Sequence, residues 1–300
     1  MRELVVVSGK GGTGKTSLTA SFAVLAKQSV IADCDVDAAD LHLVLSPRVK
    51  LRGVFRAGHE AVITPSLCTA CGLCQQNCRF EAVRVETEGF DRPRFLIDTT
   101  ACEGCGVCVH VCPARAIDFP ERVSGEWFVS DTRCGPMVHA RLGIAAENSG
   151  KLVSLVRRQA REIADQEGQE LILVDGPPGI GCPVIASLTA TSAVLVVTEP
   201  TLSGEHDLKR VLALARHFEV PAAVCVNKWD LNPEMATSIE KGASALGAWT
   251  AGRVRYDRGV TAAQIQARAV VETDASSGND IRRLWNGLST FLGGTNGSTG

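Results

Sequence analysis

Apolar residues in this chain follow two spacings. Short continuous runs occur at Leu4-Val5-Val6-Val7, within Ser29 to Asp33, and at Leu171-Ile172-Leu173-Val174, Ala193 to Thr198 and Ala222 to Val226. Runs of this length with no polar alternation predict strands buried on both faces, as in a parallel sheet covered by helices. Between them the spacing turns helical. Thr16 to Lys27 predicts a helix, and so does Lys151 to Glu167, where Leu152, Leu155, Val156 and Ile163 share a face. Over Asp280 to Leu292 a stripe of Ile281, Leu284, Trp285, Leu288 and Phe291 predicts a last helix that packs on the sheet. Strands alternating with helices predict a doubly wound, mainly parallel α/β domain with right-handed crossovers.

This rhythm stops near residue 60 and returns with Trp127-Phe128-Val129, which reads as a strand. Three segments result. Residues 1–59 and 123–300 form two parts of one α/β domain, and residues 60–122 form a small α+β module inserted in it. Gly135 to Gly150 reads as loop, with Gly135 to Leu142 placed to transmit between the insert and the next helix. His139 within it reads as a packed or exposed histidine rather than a ligand.

Composition narrows the classes. The 300 residues are 45% hydrophobic, enough for a full core, and the net charge of −2 comes without a basic block. General nucleic-acid affinity is therefore not expected. No apolar run approaches the roughly 20 residues of a spanning helix, and the N-terminus enters a strand with no signal-peptide pattern. A cytoplasmic protein without a stable membrane anchor is the expectation. The twelve cysteines then point to metal rather than to disulfides.

The strongest local signal is Gly9-Lys10-Gly11-Gly12-Thr13-Gly14-Lys15-Thr16. It fits G-x-x-x-x-G-K-[ST], follows a predicted strand and opens a predicted helix. That context makes it a phosphate cradle of backbone N–H groups, with Lys15 reaching the β/γ-phosphates and the Thr16 hydroxyl on Mg²⁺. Acids close two strands, Asp33 with Asp35 after the second and Asp175 before Gly176-Pro177-Pro178-Gly179-Ile180-Gly181. Asp37 and Asp40 read as a solvated helix start.

With Lys10 the loop becomes K-G-G-x-G-K-[ST] and resembles the deviant P-loop of the MinD/ParA ATPases, a family that includes the nitrogenase iron protein. The resemblance implies that Lys10 crosses a dimer interface to the partner's nucleotide. It implies that Asp35 orients the attacking water, that Asp33 supports Mg²⁺ and that Asp175 holds Mg²⁺ through water. Gly176 to Gly181 becomes a switch. Asn227, in Asn227-Lys228-Trp229-Asp230, becomes the reader of adenine's edge, with a GTPase-like use of Asp230 as the competitor. ATP, Mg²⁺, slow switch-type hydrolysis and a homodimer or a heterodimer with a paralogue complete the expectation.

Cys68, Cys71, Cys74 and Cys78 form C-x₂-C-x₂-C-x₃-C, and Cys102, Cys105, Cys108 and Cys112 repeat it 34 residues later. Ile63 and Ile97, Gly72 and Gly106, Ala82 and Ala116, and Val83 and Ile117 match at the same offset, which points to an internal duplication. The segment resembles a two-cluster bacterial ferredoxin. That resemblance assigns Cys68, Cys71, Cys74 and Cys112 to one [4Fe–4S] cluster, and Cys102, Cys105, Cys108 and Cys78 to another. Zinc is disfavoured by the triplet spacing. Cys182, beyond the switch, stands at the offset of a cluster cysteine in the nitrogenase iron protein. Cys134 is its only nearby companion, and a buried packing thiol is the preferred reading.

The combined expectation is an ATP-hydrolysing iron–sulfur protein whose nucleotide-driven dimer switching is coupled to electron transfer toward a redox or metal-cofactor protein. The alternative is a positioning or scaffold ATPase with structural or redox-sensing clusters.

Overall fold

The run Leu4 to Val7 forms the centre of β1 (Arg2–Ser8), where all four side chains are shielded from solvent. A computed structural model of the chain describes residues 1–89, 91–143 and 149–294. β1 leads to α1 (Lys15–Ala26), β2 (Val30–Asp33), the short α2 (Leu41–Leu45) and β3 (Arg48–His59). Next come β4 (Val62–Ile63), α3 (Leu73–Gln76), β5 (Val83–Glu86), β6 (Arg94–Ile97), α4 (Val107–Val111) and β7 (Ile117–Asp118). β8 (Glu121–Thr132) and β9 (Gly135–Leu142) precede α5 (Ser149–Glu167), β10 (Leu171–Pro178), α6 (Cys182–Leu188) and β11 (Ala193–Thr198). The chain continues through α7 (Leu202–His217), β12 (Ala222–Asn227), α8 (Pro233–Ala245), β13 (Trp249–Val254), α9 (Gly259–Ile265) and α10 (Ser276–Gly294).

Two compact units emerge. The first contains Met1–Gly53, Trp127–Arg141 and the chain from Ser149. The second contains Val54–Glu126 and the segment that starts at Leu142. The large sheet has the order β13-β12-β11-β1-β10-β2-β9-β8-β3. Every ladder from β13 to β9 is parallel. The chain winds outward from β1 in both directions, through β2 on one side and through β11 to β13 on the other. Such a switch point leaves a crevice at the carboxyl ends of the strands. Register fixes what lines it, because Val6 pairs with Asp175 and Asp175 with Asp33. Two acids are thereby set side by side on neighbouring strands.

One stretch differs from expectation. Gly135 to Leu142 is a strand, not a loop, and pairs with β2 through Ile31–Met137, Ala32–Val138 and Asp33–His139. Met137, Val138 and Ala140 are buried. The sequence there mixes His and Arg into a short apolar pattern, and only the ladder with β2 settles its conformation. Residues 144–148, the end of the predicted loop, lie outside the described residues.

In the second unit the duplication is visible as pairing. β4 and β7 are antiparallel with Ile63 opposite Ile117, and β5 and β6 are antiparallel with Val83 opposite Ile97. Each ladder thus takes one strand from each copy of the repeat. Gly72 and Gly106 precede α3 and α4 with φ of 75° and 74°, in the left-handed region that suits glycine. Ala61, Cys74, Val83, Phe95 and Ile117 form a small apolar core.

Charge is buried at the amino end of β1. The Glu3 carboxylate accepts from Arg157 Nε at 2.5 Å and from Arg161 Nη2 at 2.6 Å. Arg157 also donates to the carbonyl of Thr189 at 2.9 Å. The Glu3 and Arg157 side chains are each 5% exposed, whereas Arg161 is 35% exposed. Removing one partner of a buried pair strands the other charge. Glu3→Ala, which strands the buried Arg157, should therefore cost about 3–5 kcal/mol of unfolding free energy, and Arg161→Ala, which leaves Glu3 paired with Arg157, clearly less. Urea denaturation of both variants checks the order.

Candidate nucleotide site

The crevice holds a cavity of about 450 Å³ lined by the loop from Gly11 to Thr16, by Asp35, Asn227 and Lys228, and by the chain from Val254 to Gln264. The loop starts from Gly9, where a Cβ would stand 2.3 Å from Asp207 Cβ of α7. Only a residue without a side chain permits that approach. It ends at Gly14, with φ of 90°, immediately before α1. No side chain caps α1 there, so its first N–H groups face the cavity, an arrangement suited to anions.

Lys15 is the electrostatic centre. Its ammonium lies 2.6 Å from Asp35 Oδ2 and 3.7 Å from Asp175 Oδ1, and its side chain is only 6% exposed. Burial works against its charge, but Asp175 and Asp35 outweigh burial and raise its pKa. Thr19 Oγ1 donates to Asp175 Oδ1 at 3.1 Å, and the Asp35 N–H donates to Asp33 Oδ1 at 3.2 Å. Asp33 is fully buried. Burial, with Asp175 beside it, pushes its carboxyl well above the ordinary range. Burial also raises Asp175, against the pull of Lys15. Asp33 Oδ2 and Asp175 Oδ2 are buried with no hydrogen-bond partner. Unpartnered carboxylate oxygens are costly and rare, and two of them near the Thr16 hydroxyl make a donor set fit for a hard cation.

Lys10 turns toward its own chain, 3.3 Å from Ser203 Oγ and 3.5 Å from Glu199. Lys228 donates to Glu199 at 2.5 Å and to the Gly12 carbonyl at 3.2 Å. Asn227 donates through Nδ2 to the Thr13 carbonyl at 2.7 Å and accepts from the Lys228 N–H at 3.0 Å. Its amide therefore braces the phosphate loop. Asp230 accepts the Tyr256 N–H at 2.6 Å. In the second switch stretch β10 runs on through Pro178, and the Gly179 N–H donates to the Ser8 carbonyl at 2.8 Å. Asp37 and Asp40 are exposed. His139 stacks on Phe128 at 5.0 Å and bonds Ser130 Oγ at 2.9 Å. Burial first, then His42, lowers its pKa to about 4.

The sequence reading missed Val254 to Gln264. The signal was present, since these residues follow a short strand and so belong at its carboxyl end.

The cysteines require a correction. Cys68, Cys71, Cys74 and Cys112 line one small cavity of the second unit, and Cys78, Cys102, Cys105 and Cys108 line another. All are free thiols. Among the described residues, no group of three or more His, Cys, Asp or Glu side chains is placed to hold a metal ion. That overturns the expected pair of [4Fe–4S] clusters and electron transfer through them, and with them a third cluster at Cys134 and Cys182. Six of the eight repeat thiols pack in or against the unit's apolar core, and burial raises the pKa of Cys74 and Cys108, favouring the neutral thiol. Cys182 is exposed rather than packed, whereas Cys134 is buried.

Known proteins place this geometry. The chain is 32% identical over 238 residues to Uncharacterized protein MJ0578 of Methanocaldococcus jannaschii, covering 77% of this chain and 79% of that one. A stretch of 47 residues is 40% identical to the ferredoxin-type protein NapF of Haemophilus influenzae, covering 16% and 27% of the two chains. The fold is similar to that of the septum site-determining protein MinD complexed with Mg-ADP from Pyrococcus horikoshii, with a TM-score of 0.56, 16% identity and 98% of each chain covered. Residues 4–270 match the model of the CobQ/CobB/MinD/ParA nucleotide binding domain, and the chain belongs to that family.

Proposed function

We propose that the protein is an ATP-driven switch of the positioning or scaffold kind, binding and slowly hydrolysing ATP as a dimer. The observation that carries this reading is Lys15 held among Asp33, Asp35 and Asp175 at the mouth of the phosphate loop. The similar MinD structure, solved with Mg-ADP, supports the same reading.

Each residue has a role in it. Lys15 leaves Asp35 for the β/γ-phosphates, and the freed Asp35 carboxylate orients the attacking water. Gly9, Gly11, Gly12, Thr13 and Gly14 offer backbone N–H groups to the phosphates. Thr16, Asp33 and Asp175 would hold Mg²⁺, which supplies charge neutralisation when bound. Lys10 exchanges Glu199 and Ser203 for the partner's nucleotide. Asn227 stands beside the base. Adenine is favoured over guanine because the Asp230 carboxylate already takes the Tyr256 N–H.

Asp35→Ala should bind ATP and accumulate as a dimer, with turnover reduced on the order of 10²-fold or more. Lys10→Ala should bind ATP but lose the dimer-dependent part of hydrolysis. Light scattering with ATP and a phosphate-release assay read both. Wild-type turnover by Asp35→Ala would overturn the assignment.

Asp33 gives a prediction of opposite sign for stability. Its pKa is raised on folding, so the folded chain binds its proton more tightly than the unfolded chain. Stability without nucleotide therefore falls as pH rises above the ordinary Asp value of about 4. Asp33→Asn should flatten that fall and raise the melting temperature of the nucleotide-free protein at pH 7. It should also weaken the extra stabilisation that Mg²⁺ gives over ATP alone. Thermal melts across pH 4–8, with and without Mg²⁺ and ATP, check both.

A further inference from the structure

The chain has one tyrosine, Tyr256, and it lines the nucleotide cavity. Its backbone is fixed from both sides. The Tyr256 N–H donates to Asp230 at 2.6 Å. Arg255 forks onto Asp280, with Nε 2.6 Å from Oδ2 and Nη2 2.9 Å from Oδ1. Asp257 accepts from the N–H groups of Gly259 at 2.8 Å and Ser277 at 3.0 Å. These bonds lower the pKa of Asp257 and keep it an acceptor. Three consecutive residues are therefore tied to Asp230, to α9 and to α10.

The side chain contrasts with this anchoring. Tyr256 is 47% exposed. Among the described residues its ring makes no stacking contact and its hydroxyl no hydrogen bond. Holding a large aromatic half in water on a rigid backbone is not a packing arrangement. It does match the requirement for a planar ligand, since a tyrosine ring has few rotamers to lose and the backbone has none. The same cavity is lined by the phosphate loop from Gly11 to Thr16 and by Tyr256, so a nucleotide with its phosphates at Lys15 has this ring in the wall available to its base.

We infer that Tyr256 is the stacking platform for the nucleobase and fixes the base end of the site. This rests on the nucleotide-binding reading above and adds the residue that holds the base.

The experiment uses full-length protein labelled with 3-fluorotyrosine, which gives one ¹⁹F resonance. ATP should shift that resonance, whereas tripolyphosphate, which has phosphates but no base, should leave it in place. Tyr256→Ala should weaken ATP binding about tenfold, the scale of one aromatic–base stack, and leave tripolyphosphate binding unchanged, which also shows that the variant is folded. Tyr256→Phe should retain ATP affinity within about twofold, because the ring and not the hydroxyl carries the contact. Failure of both ATP and tripolyphosphate to bind the wild-type protein would reject the nucleotide reading itself. ATP binding with an unmoved resonance, or with equal affinity in Tyr256→Ala, would reject the platform. So would a Tyr256→Ala variant that changes dimerisation while leaving monomer affinity for ATP intact.

Discussion

One buried ammonium, that of Lys15, faces three carboxylates. Asp33 and Asp175 are placed by strand register and Asp35 by the turn that follows β2. A single cation cannot neutralise all three, and the unpartnered oxygens of Asp33 and Asp175 record the shortfall. The nucleotide-free site is thus held in an electrostatically incomplete state. A ligand that draws Lys15 away leaves acids whose charge protons or a cation must balance. Phosphate binding at Lys15 is thereby linked to proton or cation binding at the acids.

Much of this was legible in the sequence. Apolar runs gave β2, β11 and β12 to within a residue and the centres of β1 and β10, because strands buried on both faces have no polar positions to blur them, whereas β10 runs on through Pro178 into the stretch read as a turn. The G-x-x-x-x-G-K-T spacing gave the loop, because its glycines answer to geometry. Gly9 has no room for a side chain against Asp207, and Gly14 has a positive φ. What stayed hidden depends on partners distant in sequence. β9 needs β2 to settle it. Asn227 matches a base-reading position, yet its amide is engaged with the carbonyl of Thr13. The pairing of Asp230 with Tyr256 joins two segments that neither pattern nor spacing connects.

The cysteine runs show a different limit. Spacing along the chain places thiols within reach of each other but does not aim them. In the folded chain most of the eight are absorbed by an apolar core that also takes Phe95 and Ile117, and among the described residues no three donors are placed to hold a metal ion. A free cysteine in such surroundings behaves as a small hydrophobe.

The strand exchange in the second unit has a consequence for its origin and its folding. Ile63 meets Ile117 and Val83 meets Ile97, so neither copy of the repeat contains a complete ladder. A polypeptide ending after the first copy would carry two unpaired strands and half a core. It could finish them only by meeting a second such polypeptide. Joining the two copies in one chain turns that encounter between molecules into closure of a loop within one. The two ladders differ in span: β5 and β6 are neighbours along the chain, whereas β4 and β7 close a loop around the whole unit.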